Sequence, residues 1–445
     1  MMILRFAACL TLVCGLSPCS SAAIIGTNPP ALPLTRERIA ALPASQRPAW
    51  EKYLARSNRQ LKADQEFFFG EMKKHHITAP TIPPDGSSAR SISLREPSAW
   101  YSQAEASRIA GIVRSFQTPA GGWSKNLDMT HHARAPGEQF SEGNLSSLIA
   151  PFDHDIPREV HWNYVGTFDN DATTTELRFL AKVITARGTG TDALDAVAFR
   201  RGMDYILAAQ YPNGGWPQVW PLQGGYHDGI TYNDGAVISV LELLDDVAEG
   251  RNEFSFVSRK IRVLAAASRQ RGIQCILDTQ VVVDGRRTVW CQQHDPLTLQ
   301  PASARNYEVP SQSGGESVEV MMFLMQLPNP DLRTIAAVHA AAAWFEKTRL
   351  ADVAYISKGE KGRQLVPEPG APALWARYYS LGADRPIFGD RDKTIHDDVS
   401  EVSNERRNGY KWFTGGPKGA LQAYARWKVK HPPSGAHGGN PSSIL

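Results

Sequence analysis

The sequence predicts an all-α fold in which helical hairpins close into an (α/α)3 toroid with long loops and minor irregular β structure. Three observations carry that expectation. Amphipathic stretches of helical period recur from Trp50 to near the C-terminus, while alternating strand-type runs are scarce. The motif Q-x-P-x-G-G-W occurs at Gln117–Trp123 and again at Gln210–Trp216, each time directly after such a stretch. The glycine- and proline-rich polar segments fall between the helical stretches.

Taken in chain order, residues 1–22 read as a signal peptide. Arg5 precedes the apolar run Phe6–Leu16, and Ser20-Ser21-Ala22 supplies the small residues of a cleavage site. The run is too short for a transmembrane helix. Export to the periplasm or the medium follows. Cys14 and Cys19 leave lipid anchoring as a second reading, although Val13 and Pro18 before them suit it poorly. Loss of the signal leaves Cys275 and Cys291, which either form one disulfide or stay as two buried thiols.

Residues 23–99 form an N-terminal extension with one helix, Trp50–Lys74, followed by the Pro- and Ser-rich stretch His75–Pro97. The toroid spans 100–430, and 431–445 form a flexible tail. Helices are expected over Gln103–Phe116, Thr174–Thr185, Thr191–Ala209, Asp234–Ala248, Val257–Leu277, Ser317–Leu327, Pro330–Thr348 and Pro417–Val429. Val281–Val283 and Val289–Cys291 suggest a small hairpin about Asp284-Gly285. The spacing of the two motifs, about 90 residues, leaves room for roughly two helices and their loops. Trp290–Asp295 is the candidate for a third, degenerate corner of the ring.

Composition narrows the function. The chain has 445 residues, 42% hydrophobic and 21% charged, with a net charge of +3. The pI is about 8.5. That balance suits an anionic substrate and lacks the clustered basic excess of a nucleic-acid binder.

Two polar clusters stand just before expected helices: Thr167–Thr173, with Asp169 and Asn170, and Ile230–Ala236, with Asp234. Each aspartate could simply cap its helix. Two such loops meeting at one rim would instead bring carboxylates together, and a hard cation with oxygen ligands would relieve their repulsion. A second set is basic and aromatic: Arg305–Ser311, Trp375–Tyr379, Phe388–Lys393 and Arg407–Phe413. Arginine forks bind carboxylates, and flat aromatics stack on sugar rings.

The segments Thr167–Thr173, Gln210–Trp220, Ile230–Ala236, Cys291–Asp295, Arg305–Glu308 and Phe388–Arg391 together resemble polysaccharide lyase family 10 pectate lyases, over roughly Trp50 to Trp427. The resemblance implies an (α/α) toroid that cleaves de-esterified polygalacturonate with calcium (Ca2+) by β-elimination. It implies Arg391 as catalytic base and Asp169 and Asp234 as residues holding calcium against the substrate. Arg305 and Arg377 would bind uronate carboxylates, with Asn170, Lys125, Tyr410 and Trp412 as further substrate contacts. Asp390 and Asp392 flank Arg391, and could orient it or hold it charged. An arginine base, with its pKa above about 12, implies an alkaline optimum. Two other readings compete: a glycoside hydrolase on the same toroid, using Asp169, Asp234 or Glu308, and a non-catalytic carbohydrate-binding protein. The expected state is a monomer.

Overall fold

The computed structural model describes residues 24–86, 92–142, 153–155, 159–188 and 193–433. The expected signal peptide and most of the expected tail lie outside them. Eleven helices are described: α1 Arg36–Ala40, α2 Arg47–Lys74, α3 Ala104–Ser115, α4 Thr174–Arg187, α5 Ala193–Ala209, α6 Ala236–Glu249, α7 Arg259–Thr279, α8 Ser317–Gln326, α9 Leu332–Lys347, α10 Asn404–Gly409 and α11 Gly416–Lys430. The helices expected from periodicity are present, with ends moved by a few residues.

Three hairpins, α4/α5, α6/α7 and α8/α9, make the body of the fold. Within it α4, α6 and α8 follow one another in contact, as do α5, α7 and α9, so the hairpins stack side by side in two layers. Helix α3 packs on the first hairpin and α11 on the last. The apolar faces of α4 and α6, including Leu177, Leu180, Val240 and Leu244, are buried completely. Burial on that scale, rather than helix propensity, holds such elements.

The repeat motif is a corner that ties one hairpin to the next. In the first corner the Trp123 indole donates to Val113 O of α3 at 2.7 Å, and Gln117 Nε2 donates to Gly121 O and to Ala198 O of α5 at 2.8 and 2.9 Å. In the second, Trp216 donates to Ile206 O of α5, and Gln210 donates to Gly214 O and to Ser268 O of α7. The degenerate third corner keeps both bonds. Trp290 donates to Ile276 O of α7, and Gln280 donates to Thr288 O and to Ala337 O of α9. Trp375, donating to Phe345 O of α9, marks a fourth turn.

Glycine is required in these corners. Gly214 has φ +96°, and a Cβ there would lie 2.2 Å from Arg271 O of α7. Gly214→Ala should therefore lower stability by about 2 kcal/mol or more, read as a reduced urea midpoint. An unchanged midpoint would mean that the corner does not hold the two hairpins.

Two features differ from expectation, and two answer points that the sequence left open. The small hairpin pairs Val282–Val283 with Arg286–Arg287, and of the expected partner strand Val289 joins it by accepting Val281 N–H at 2.9 Å. Asp284 and Gly285 both take positive φ, the two-residue turn that an Asp-Gly pair favours. That tight turn uses up the residues next to it. The longest hairpin, Val353–Ser357 with Arg363–Pro367, was not expected. Cys275 and Cys291 are free and buried, so no disulfide forms; the Cys291 sulfur accepts Ser311 N–H instead. The extension packs closely on the rest: Ile24–Thr27 pairs antiparallel with Thr394–His396, and Tyr53 of α2 donates to Ala209 O at the end of α5. No helix among the described residues is long and apolar enough to cross a membrane.

Candidate active site

Every candidate residue lies on the loops that leave α3, α5, α7 and α9 and lead to α4, α6, α8 and α11. The hairpins thus deliver them to one side of the molecule. The backbone there is bent sharply. Asn170, Asp171 and Thr173 before α4, and Asp234 before α6, all have positive φ. Asn and Asp tolerate that region; a β-branched threonine does so only under constraint. Thr173 is held by its hydroxyl, which accepts Trp123 N–H and donates to Thr167 O at 2.9 Å.

The bend decides between capping and site. Thr173 precedes α4 and Gly235 precedes α6, and neither helix has a side-chain cap. The carboxylates of Asp169 and Asp234 are therefore directed elsewhere. Asp169, 2% exposed, pairs with Lys125 and accepts from Asn233 Nδ2 at 3.4 Å. The same amide donates to Asp234 Oδ2 at 2.7 Å, so one side chain bridges both acids. Burial alone would raise the Asp169 carboxyl; the Lys125 charge and then Arg305 hold it below the usual range. Asp234 opens to solvent, yet its carboxyl is pushed up by desolvation within the cleft and by neighbouring Asp169.

Each arginine carries its own acid. Arg377 pairs with Glu316, donates to Asn233 Oδ1 at 3.1 Å and stacks its guanidinium 4.7 Å over the Tyr410 ring. Arg305 lies 3.4 Å from Asp155 and 3.6 Å from Glu308. Burial opposes the charge on both, but the acids and hydroxyls around them hold both well above the ordinary arginine value. Arg391 pairs with Glu405 at 3.3 Å and lies over Tyr307. Of the flanking aspartates, Asp390 accepts the Arg391 backbone N–H at 2.7 Å and also accepts from Ser403, and Asp392 accepts from Thr394.

An open cleft of about 270 Å³ is lined by Asp234, Glu316, Arg377, Lys411 and Thr414. Asp169, paired with Lys125, is joined to that opening through Asn233, and Arg305 is linked to it through Glu308 and Tyr410. Asn170 is bonded to Asn126. Tyr410 donates to Glu308 and shares a hydrogen bond with Tyr378, so it braces the arginines. Trp412 corrects one expectation. It is 0% exposed and donates to Arg406 O, so it supports the aromatic layer from beneath and offers no face to a sugar.

Three partners went unrecognised in the sequence. Glu316 sits immediately before α8, as Asp169 and Asp234 sit before α4 and α6, and extending that rule to a third helix would have found it. Asp155, with Tyr226 donating to it at 2.5 Å, and Glu405 carry no such signal.

The donor set can be tested against a cation. No group of three or more acidic, histidine or cysteine side chains is placed to hold a metal ion among the described residues. Two carboxylates sharing one amide fit a cation whose remaining ligands come from an anionic substrate. They do not make a cage of protein ligands alone.

A family model described as pectic acid lyase matches residues 117–420. Among curated proteins none matches significantly. Solved structures resemble the chain as well, two of them as follows. A family 10 polysaccharide lyase from Cellvibrio cellulosa is 34% identical, with a TM-score of 0.61, over 77% of this chain and 99% of that one. An aspartate-to-alanine mutant of a family 10 polysaccharide lyase from the same organism, in complex with trigalacturonic acid, is 32% identical with the same TM-score and coverage.

Proposed function

The chain belongs to the pectic acid lyase family, and from that premise we propose that it is an exported, monomeric pectate lyase that cleaves de-esterified polygalacturonate by calcium-dependent β-elimination. The observation that carries the site assignment is the single amide of Asn233 joining Asp169 to Asp234 and accepting from Arg377, with the Arg305 charge acting on Asp169. When bound, calcium would supply charge neutralisation for the uronate carboxylate. Asp169 and Asp234 would hold it, and family membership displaces the hydrolase and the non-catalytic readings.

The chain's own groups do the rest. Arg377 offers a fork to a uronate carboxylate, with Glu316 fixing its plane. A base removes the proton from the carbon bearing that carboxylate. The electron pair forms the new carbon–carbon double bond, the bond to the glycosidic oxygen breaks, and that oxygen takes up a proton. Resemblance placed the base at Arg391. Arg305 lies against Asp155 and Glu308 much as Arg391 lies against Glu405 and Tyr307, but the Arg305 charge also helps to keep Asp169 ionised, which supports a role beside the acids that would hold calcium. We therefore assign proton abstraction to Arg305 and substrate binding to Arg391. Asn170 and Lys125 complete the floor, Lys125 by keeping Asp169 ionised.

The sign of the pH dependence follows. The acids around Arg305 favour its charged form, so its free-base fraction grows only as pH rises, and turnover should climb through the alkaline range. The direct test is ultraviolet absorbance of unsaturated uronate from polygalacturonate at alkaline pH, after chelation and after calcium is restored. A signal lost on chelation and recovered with calcium is expected. Equal rates under both conditions would remove calcium from the assignment, and new reducing ends without absorbance would overturn the elimination.

A further inference from the structure

The extension ahead of the family match reaches the active site through one side chain. Asn28, 1% exposed, donates from Nδ2 to the carbonyl oxygens of Arg305, Asn306 and Glu308 at 3.0, 2.9 and 3.1 Å. Its neighbour Pro29 accepts Ser303 Oγ at 2.5 Å, and Asn28 N donates to Lys393 O at 2.8 Å. A single amide thus gathers three carbonyls of the loop that carries Arg305 and Glu308, while its backbone ties down the loop of Arg391. Its Oδ1 has no partner among the described residues, so the side chain acts here as a donor only.

We propose that Asn28 is a positioning residue for catalysis: it fixes the Arg305–Glu308 turn, and with it the Arg305 guanidinium, so the extension completes the active site.

From outside, the turn is held at its side chains by Tyr410 on Glu308 and Asp155 on Arg305, and at its carbonyls by Asn28. Within it, Glu308 N–H donates to Arg305 O and Arg305 N–H to Glu308 Oε2, which closes the turn without orienting it. Asn306 adds bonds to His154 N and Arg391 O, both in other loops. Asn28 lies in the segment whose Ile24–Thr27 portion is paired to Thr394–His396 and whose Leu34 N–H is bonded to Asp228, so it sits between two fixed points. Displacement of a catalytic group by about 1 Å can lower a rate about 10²-fold. Asparagine suits the task because its amide nitrogen carries two donor hydrogens, which three convergent carbonyls share. Aspartate has the same shape and no donor.

The inference rests on Arg305 being the catalytic arginine, and the experiment separates the two. Kinetics on polygalacturonate are measured for Asn28→Ala, Asn28→Asp and Leu34→Ala beside Arg305→Ala. Leu34→Ala weakens docking of the same segment without touching the turn. Expected is a kcat loss of roughly tenfold to 10²-fold in both Asn28 variants, a KM within about threefold of the parent, and near-parental kcat in Leu34→Ala at a similar fall in urea midpoint. Parental kcat in Asn28→Ala, or an equal kcat loss in Leu34→Ala, overturns the proposal. Retained activity in Arg305→Ala would instead overturn the assignment on which it stands.

Discussion

Arg305→Ala is expected to lower kcat on polygalacturonate by about 10²- to 10⁴-fold, the range for removal of a general base, whereas Arg391→Ala should mainly raise KM. The difference comes from position. Arg305 lies among Asp155, Glu308 and the Tyr164 and Tyr226 hydroxyls, and its charge is felt by Asp169. Arg391, about as exposed as Arg305, lies over Tyr307 and shares Glu405 with Arg406. Removal of Arg305 also strands two buried acids, so Arg305→Lys is the better-folded companion. It keeps the charge and loses the fork, and its kcat should still fall by more than about tenfold. Steady-state kinetics at several alkaline pH values check both variants. A larger kcat loss in Arg391→Ala than in Arg305→Ala would return the base to Arg391.

Asp169→Ala should remove calcium-dependent activity and lower stability together, because it leaves Lys125 buried without its partner. Breaking a buried pair from one side costs about 3–5 kcal/mol. The pair's stabilisation is present at neutral pH and lost as pH falls: the Asp169 carboxyl is held below its usual value, so protonation undoes the pair in the acid range. The double variant Asp169→Ala/Lys125→Met separates the two roles. It should recover most of the lost stability and none of the activity. Urea unfolding and the absorbance assay read the two quantities independently. Activity in the double variant would mean that Asp169 serves only to neutralise Lys125.

The helices were legible because each buries an apolar stripe of regular period, and periodicity survives in a single sequence. The strands were not, since most are two-residue ladders between loops and have no pattern to read. Val353–Ser357 is long enough to show, but Arg363–Pro367 opposite it carries charge and proline. In the site, Asp169 and Asp234 stood out by type and place. What the sequence could not give was pairing: that Lys125 meets Asp169, that Asn233 spans two acids, and that Glu405 takes Arg391. Those contacts join residues far apart in sequence, through backbone turned into the left-handed region. Trp412 shows the converse, an aromatic in a basic loop whose ring faces inward.

The corner bonds have a consequence for how such a molecule comes apart. Each glutamine reaches forward to the second helix of the next hairpin, and each tryptophan reaches back to the helix just finished. Stability is then largely a property of neighbours, as in linear repeat arrays. A flaw in one joint is felt by two units and spreads only through their shared interface. A chain built this way can begin to fold at any joint and be completed from there in both directions.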